Sequence, residues 1–286
     1  MSHPLSIAHL SALNASPPEL VDIAAICGFD FVGLRLKPVT PLERPWPLIE
    51  DEALFRETLA RINATGVQVL DVELVRLTED FSLADWEPFV ETAARLGARH
   101  ILTQAHDPEF ERVVENYAAF CDLASAHGLS SDVEFLPWTA MRDLQRAVEL
   151  MRTVDRPNAG ICIDTLHFAR AGCSLDEIDG LDPRWFRFAQ IADAPAVAPA
   201  TDTGLIRTAR QARLLPGEGS IDLCGILSRL PPDIPLALEI PNAALSGLMS
   251  DTTRLTLAKD ALLAVLNRMA EQECSESGSS SKSALA

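Results

Sequence analysis

The chain has 286 residues, 48% of them hydrophobic, and a formal net charge of −17. That length sustains a large core in one or two domains, and the charge repels a nucleic-acid backbone while still allowing a small anionic ligand. No stretch is apolar enough to span a bilayer, residues 1–20 lack the basic and apolar regions of a signal peptide, and the six cysteines form no CxxC pair, so a cytoplasmic protein without a disulfide framework is expected.

In chain order, short apolar runs alternate with amphipathic ones. A strand is expected at 6–10 (SIAHL), then a helix over 17–27 with Ser16 as N-cap and Pro17 in its first turn. Strands at 31–36 and 68–74 flank a helix at 51–64, which Asp51 caps and Gly66 follows. Next come a helix at 85–96 capped by Asp85, a strand at 100–105, a helix at 108–127 and a strand at 132–136. Thr139 reads as the cap of a helix at 139–152. A strand at 159–164, a short helix near 174–179 and a strand at 186–193 follow. The connection over 194–220 is long enough to be read as functional. A helix at 221–229, a strand at 236–240 and a helix at 251–270 capped by Asp251 complete the pattern. The Ser-rich residues 271–286 read as a disordered polar tail. Eight strands, each followed by a helix, predict an α/β fold, a single (β/α)8 TIM barrel over 1–270. An open doubly wound sheet is the rival, but the first strand lacks that fold's glycine-rich turn.

Active sites of such barrels lie at the C-terminal strand ends. There the sequence places His9, Arg35, Glu73, Gln104 with His106, Glu134, Asp164, Gln190 with Asp193, and Glu239. A lone buried carboxylate is costly, and Glu134, Asp164 and Glu239 on one rim would repel one another. One divalent cation relieves the repulsion, with the amide oxygen of Gln190 as fourth ligand. An all-oxygen set favours Mn²⁺ or Mg²⁺ over Zn²⁺ or Co²⁺. Each acid could instead pair with a buried arginine across the barrel mouth. His167, one turn beyond Asp164, is expected to face a substrate. Trp138 is either core packing or an apolar wall against a sugar face. Glu73, Gln104 and His9 are candidates for the pocket lining, with Arg35 a partner for Glu73. Asp193 is expected to brace the rim through main-chain bonds, His106 to belong to a loop, Arg207 and Arg210 to be solvated, and His3, His100 and His127 to be idle.

The segments VEFLPW (133–138), IDTLHFAR (163–170), AQIADAP (189–195), RLLPGEGSIDL (213–223) and LALEIP (236–241) stand in this order at strand ends. Together they resemble the sugar phosphate isomerase/epimerase family, the xylose isomerase-like TIM barrels. The resemblance implies a divalent ion held by a glutamate, an aspartate, a histidine and a glutamate on strands five to eight. These positions fall on Glu134, Asp164, Gln190 and Glu239, with glutamine where histidine is commoner. It also implies that His167 and Arg213 bind substrate oxygens.

The implied activity is that of a sugar isomerase or epimerase acting on a keto-sugar or related polyol through an enediolate. Glu134 and Glu239 would exchange the proton on opposite faces. Loss of a β-hydroxyl from the same enediolate would make the enzyme a dehydratase of the dehydroshikimate type. A nuclease branch of the barrel uses several metals and many histidines, and six histidines with a charge of −17 argue against it. A non-catalytic barrel is the remaining class. The expected partner is a carbohydrate or cyclitol-like small molecule, with no nucleic acid and no membrane. A homodimer is left open.

Overall fold

The computed structural model describes residues 3–41 and 43–283, with side chains as far as Glu271. Eight parallel strands pair in sequence order and close, β8 against β1, into a barrel. They are β1 (Leu5–Ile7), β2 (Phe31–Arg35), β3 (Gln68–Leu77), β4 (His100–Ala105), β5 (Ser130–Glu134), β6 (Ala159–Asp164), β7 (Ala189–Ile191) and β8 (Leu236–Leu238). Helices α1 (Pro17–Cys27), α2 (Glu52–Thr65), α3 (Glu87–Arg95), α4 (Phe110–Ala126) and α5 (Leu144–Val154) cross between the first six strands. Then come α6 (Thr165–Arg170), α7 (Asp202–Gln211), α8 (Leu223–Leu227), α9 (Ala243–Ser246) and α10 (Asp251–Ser283). Among the described residues no helix is long and apolar enough to cross a membrane.

The period of two along each strand sorts side chains into two cores. In β6, Ala159, Ile161 and Ile163 join the layer between barrel and helices, while Cys162 points into the lumen with Phe31, Leu70, Leu74, Leu102, Phe188 and Ala237. At ~1.5–3 kcal/mol for each large apolar side chain buried, these two layers dominate the stabilisation. Asp164 is the next inward residue after Cys162, which is how an apolar strand delivers an acid to the mouth.

The opposite end is sealed by polar groups that satisfy one another. His100 stacks on Phe188 at 5.3 Å between ring centres, and its Nδ1 lies 2.7 Å from Ser130 Oγ. Ser130 donates to Asp132 at 2.5 Å, and Arg187 donates to the other Asp132 oxygen at 3.0 Å. A Cβ on Gly160 would strike Arg187, Asp132 and the Trp185 carbonyl, so only glycine fits this floor. His100, expected to be idle, therefore closes the barrel.

Several boundaries differ from expectation for local reasons. β1 ends at Ile7 because His9–Ala12 turn into a 3-10 helix. β3 runs three residues beyond the expected end, to Leu77. β5 lies at Ser130–Glu134 rather than 132–136. β7 and β8 have three residues each. Asp85 falls inside a 3-10 turn that precedes α3, so it does not cap that helix. Asp143, not Thr139, caps α5 by accepting the Arg146 N–H, while Thr139 bonds the carbonyls of Leu136 and Met141. Asp251 begins α10, and Ser250 accepts the Thr253 N–H at 3.2 Å. Ser16 and Asp51 cap α1 and α2 as expected. The helical backbone of α10 continues to Ser283, and in the tail expected at 271–286 the side chains from Gln272 onward lie outside the described residues.

Candidate active site

A narrow cavity of about 50 Å³ opens at the C-terminal end of the barrel. Glu134, His167, Arg213, Glu239, Gln104 and Trp138 line it. Glu134 ends β5, and its Oε2 accepts from Gln104 Nε2 at 2.5 Å. Burial, and then the charge of Asp164, push the Glu134 carboxyl up to about 8. Asp164 caps α6 by accepting the His167 N–H at 3.0 Å and takes Arg213 Nη1 at 2.5 Å. Burial alone would raise it, but Arg213, His167 and those hydrogen bonds outweigh burial and hold it at about 2. His167 Nε2 lies 3.6 Å from Glu134 Oε1 and 4.0 Å from Asp164 Oδ2. Burial lowers its ring to about 4, so it is neutral at pH 7, and its Nδ1 has no partner among the described residues. The Trp138 ring meets it edge-on at 5.2 Å.

Arg213 takes the place of the arginine across the mouth. Its Nε donates to the Ala209 carbonyl at 2.8 Å. Its Nη2 lies 2.6 Å from Glu239 Oε2, at an angle outside hydrogen-bonding geometry. Burial pushes the Glu239 carboxyl well above its ordinary value, against the pull of Arg213. The guanidinium therefore joins Asp164 to Glu239, two of the expected metal ligands. Gln190 donates Nε2 to Glu239 Oε1 at 3.2 Å, and its oxygen faces Cys162 Sγ at 3.7 Å.

The atoms that converge are those of Glu134, Asp164 and His167, each offering one donor within 4.8 Å of the others, all buried. Two carboxylates and a neutral imidazole suit a divalent cation. The structure thus brings His167 into the converging group, where sequence reasoning had Gln190 and Glu239.

The remaining candidates divide into wall and scaffold. His9 is fully buried and held at both ring nitrogens: Nδ1 accepts the Arg35 N–H at 2.9 Å, and Nε2 bonds the Ala15 carbonyl at 3.0 Å. It pins the first strand's turn and does not line the cavity. Glu73 is fully buried under Arg35, which donates to it at 2.7 and 3.1 Å. Asp193 braces the rim as expected, accepting main-chain N–H groups of Ala194, Gly217, Gly219 and Ile221 at 2.8–3.0 Å. Glu218 accepts from Leu215 N–H in the turn at 3.3 Å. Arg207 is exposed, but Arg210 is half-buried and lines the cavity, contrary to the solvated role expected of it. Sequence reasoning missed Arg76, which lines the same cavity. It pairs in register with Gln104, and the alternation Leu74, Arg76 carries its signal once β3 is followed to its end.

Comparison with known proteins agrees with this architecture. The description "xylose isomerase-like TIM barrel" fits residues 21–264, and the chain belongs to that family. It is 26% identical to inosose isomerase of Bacillus licheniformis over 158 residues, 52% of this chain and 55% of that enzyme. It is 28% identical to 3-dehydroshikimate dehydratase of Pseudomonas aeruginosa over 256 residues, 83% of this chain and 38% of that enzyme. The chain spans about half, or less, of the length of these curated relatives. Among solved structures, the IOLI protein with a binding zinc atom superposes with a TM-score of 0.78 at 18% identity, over 93% of this chain and 99% of that one. At that identity the likeness establishes the barrel.

Proposed function

We propose that this chain is a metal-dependent isomerase or epimerase that moves a proton at the carbon beside a carbonyl of a keto-sugar or related cyclitol. The observation that carries the reading is the pair of buried cavity carboxyls Glu134 and Glu239, three staves apart around the barrel. A divalent ion held by Glu134, Asp164 and His167, a set whose imidazole nitrogen admits Zn²⁺ or Co²⁺ as well as Mn²⁺ or Mg²⁺, would draw charge from the substrate carbonyl and acidify the neighbouring C–H.

The chain's own groups do the rest. Glu239, beside Arg213, is the base that takes the proton, leaving an enediolate. Glu134, on the far side of the cavity, returns a proton. Gln104 fixes one Glu134 oxygen, so the other stays turned toward His167. Neutral His167 turns Nε2 toward Glu134 and Asp164, while its Nδ1 is buried without a partner among the described residues. Asp164, ionised at all working pH values, anchors Arg213 and with it the position of Glu239.

A second reading is a dehydratase. The broader alignment favours it, since 83% of this chain matches 3-dehydroshikimate dehydratase and 52% matches inosose isomerase. There the enediolate expels a β-hydroxyl, which leaves as water with the proton from Glu134. One experiment separates the readings. Protein stripped and reloaded with Mn²⁺, Mg²⁺, Zn²⁺ or Co²⁺ is given inososes, keto-sugars and 3-dehydroshikimate in deuterated water. Deuterium uptake without mass loss supports the isomerase, and loss of water the dehydratase. Neither outcome with any ion and substrate would remove both.

A further inference from the structure

Four arginines line the cavity, and among the described residues carboxylates hold only two of them within ion-pair distance. Arg35 is paired with Glu73 and Glu43, and Arg213 with Asp164 and Glu239. Two further guanidiniums line the same cavity, Arg76 near the end of β3 and Arg210 in the last turn of α7. Neither has a carboxylate partner among the described residues. Arg76 is half-buried; its Nη1 donates to the Val39 carbonyl at 3.1 Å, and its Nε is buried without a partner. Burial, and then Arg210 and Arg35, lower its pKa, against the smaller pull of Glu43 and Glu134. His106 lies in the same wall and is lowered to about 4 by burial and by the same Arg76 and Arg210.

Like charges gathered in a half-buried site are unfavourable unless an anion joins them. Here they gather in a chain of net charge −17, where surplus acids could have neutralised them. The register adds a distance. Arg76 pairs with Gln104, and Gln104 with Glu134, across β3, β4 and β5. Their backbones are therefore two strand spacings apart, on the order of 10 Å.

We infer that the ligand of this cavity is an anion: Arg76 and Arg210 grip its oxyanion group, a carboxylate or a phosphate ester, while its reacting carbon faces Glu134 and Glu239. The inference deepens the function proposed above and rests on it for the reacting end. Bidentate guanidinium–oxyanion contacts supply both affinity and orientation. An uncharged cyclitol would leave both arginines unanswered.

The test is calorimetric binding at pH 7 to the whole, Mn²⁺-loaded chain. One pair of probes is 3-dehydroshikimate and its methyl ester; the other is fructose 6-phosphate and fructose. The charged member of a pair is expected to bind about ten- to a hundredfold more tightly. That advantage should vanish in Arg210→Gln and Arg76→Gln and survive in part in Arg210→Lys. A response confined to the first pair assigns a carboxylate, and one confined to the second a phosphate ester. Arg210 is only half-buried on a peripheral helix, so its variants report even if Arg76→Gln fails to fold. Equal affinity within both pairs, equal loss for charged and neutral probes in Arg210→Gln, or no binding of either anion overturns the inference. Arg210-dependent binding without deuterium uptake or water loss would keep the anion site and remove the proposed reaction. Undiminished turnover of neutral inosose by Arg210→Gln, with no advantage for anions, would do the reverse.

Discussion

Glu134 and Asp164 share one rim and are equally buried, yet they titrate in opposite directions. Asp164 has Arg213 and a helix N-terminus; Glu134 has only the amide of Gln104. The stability consequences have opposite signs. The Glu134 carboxyl moves from 4.5 to about 8 on folding, so its contribution is complete below 4.5 and is lost as pH rises through about 8. Asp164 moves from 3.8 to about 2, so its contribution is present above 3.8 and is lost only as pH falls through about 2. Chelator-treated protein should therefore melt at progressively lower temperature between pH 5 and 8. A divalent ion should restore the melting temperature most at the alkaline end, and a flat profile with no ion effect would contradict the cation site. On a true substrate, Glu134→Gln and Glu239→Gln should each lower kcat by about 10²–10⁴-fold with melting temperature retained or raised. Near-native turnover by both would end their acid–base assignment.

At the scale of elements, the connection between β7 and α8 forms one wall of the cavity. It contains α7, contributes Arg210 and Arg213, and is tied down by the four main-chain donors that meet at Asp193. Asp193→Asn turns an NH₂ group toward two of those N–H groups. We expect a loss of about 1–3 kcal/mol in denaturant unfolding and about 10²-fold in turnover, because Arg213 moves with the loop. Retained turnover would show that Arg213 is positioned from elsewhere. The sequence pattern marked this connection as functional but hid its helix. Only Ala209 of α7 is buried, so there is no apolar stripe to read, and the cap Thr201 stands alone as a signal. Helix α6 was hidden differently: its cap is Asp164 itself, and the apolar residues of β6 run on into Leu166 and Phe168 without a change of period. Arg76 was lost with the last three residues of β3. The acids at strand ends were legible because each polar residue closes an apolar run. Their partners were not, because pairing across the mouth joins residues 49 positions apart, as in Arg213 with Asp164.

The whole barrel was legible from eight apolar runs because every parallel strand is covered on both faces. Closure depends on α10, whose Leu255, Ala258, Leu262 and Val265 are buried in the main core. The last described side chain packed there is Met269. We therefore propose that the domain ends near 270: removing residues 272–286 should leave the melting temperature and cavity binding unchanged, whereas removing 251–286 should abolish cooperative unfolding. A large loss from the shorter deletion would place structural residues in that segment.

The floor built from His100, Phe188, Asp132 and Arg187 leaves the chamber a cul-de-sac. Whatever enters at the arginine lip must back out by the same doorway before the next molecule is admitted. Spent molecule and fresh reactant then contend for one vacancy. In steady-state kinetics with both present, inhibition should be purely competitive, raising KM and sparing kcat, whichever chemistry occurs within.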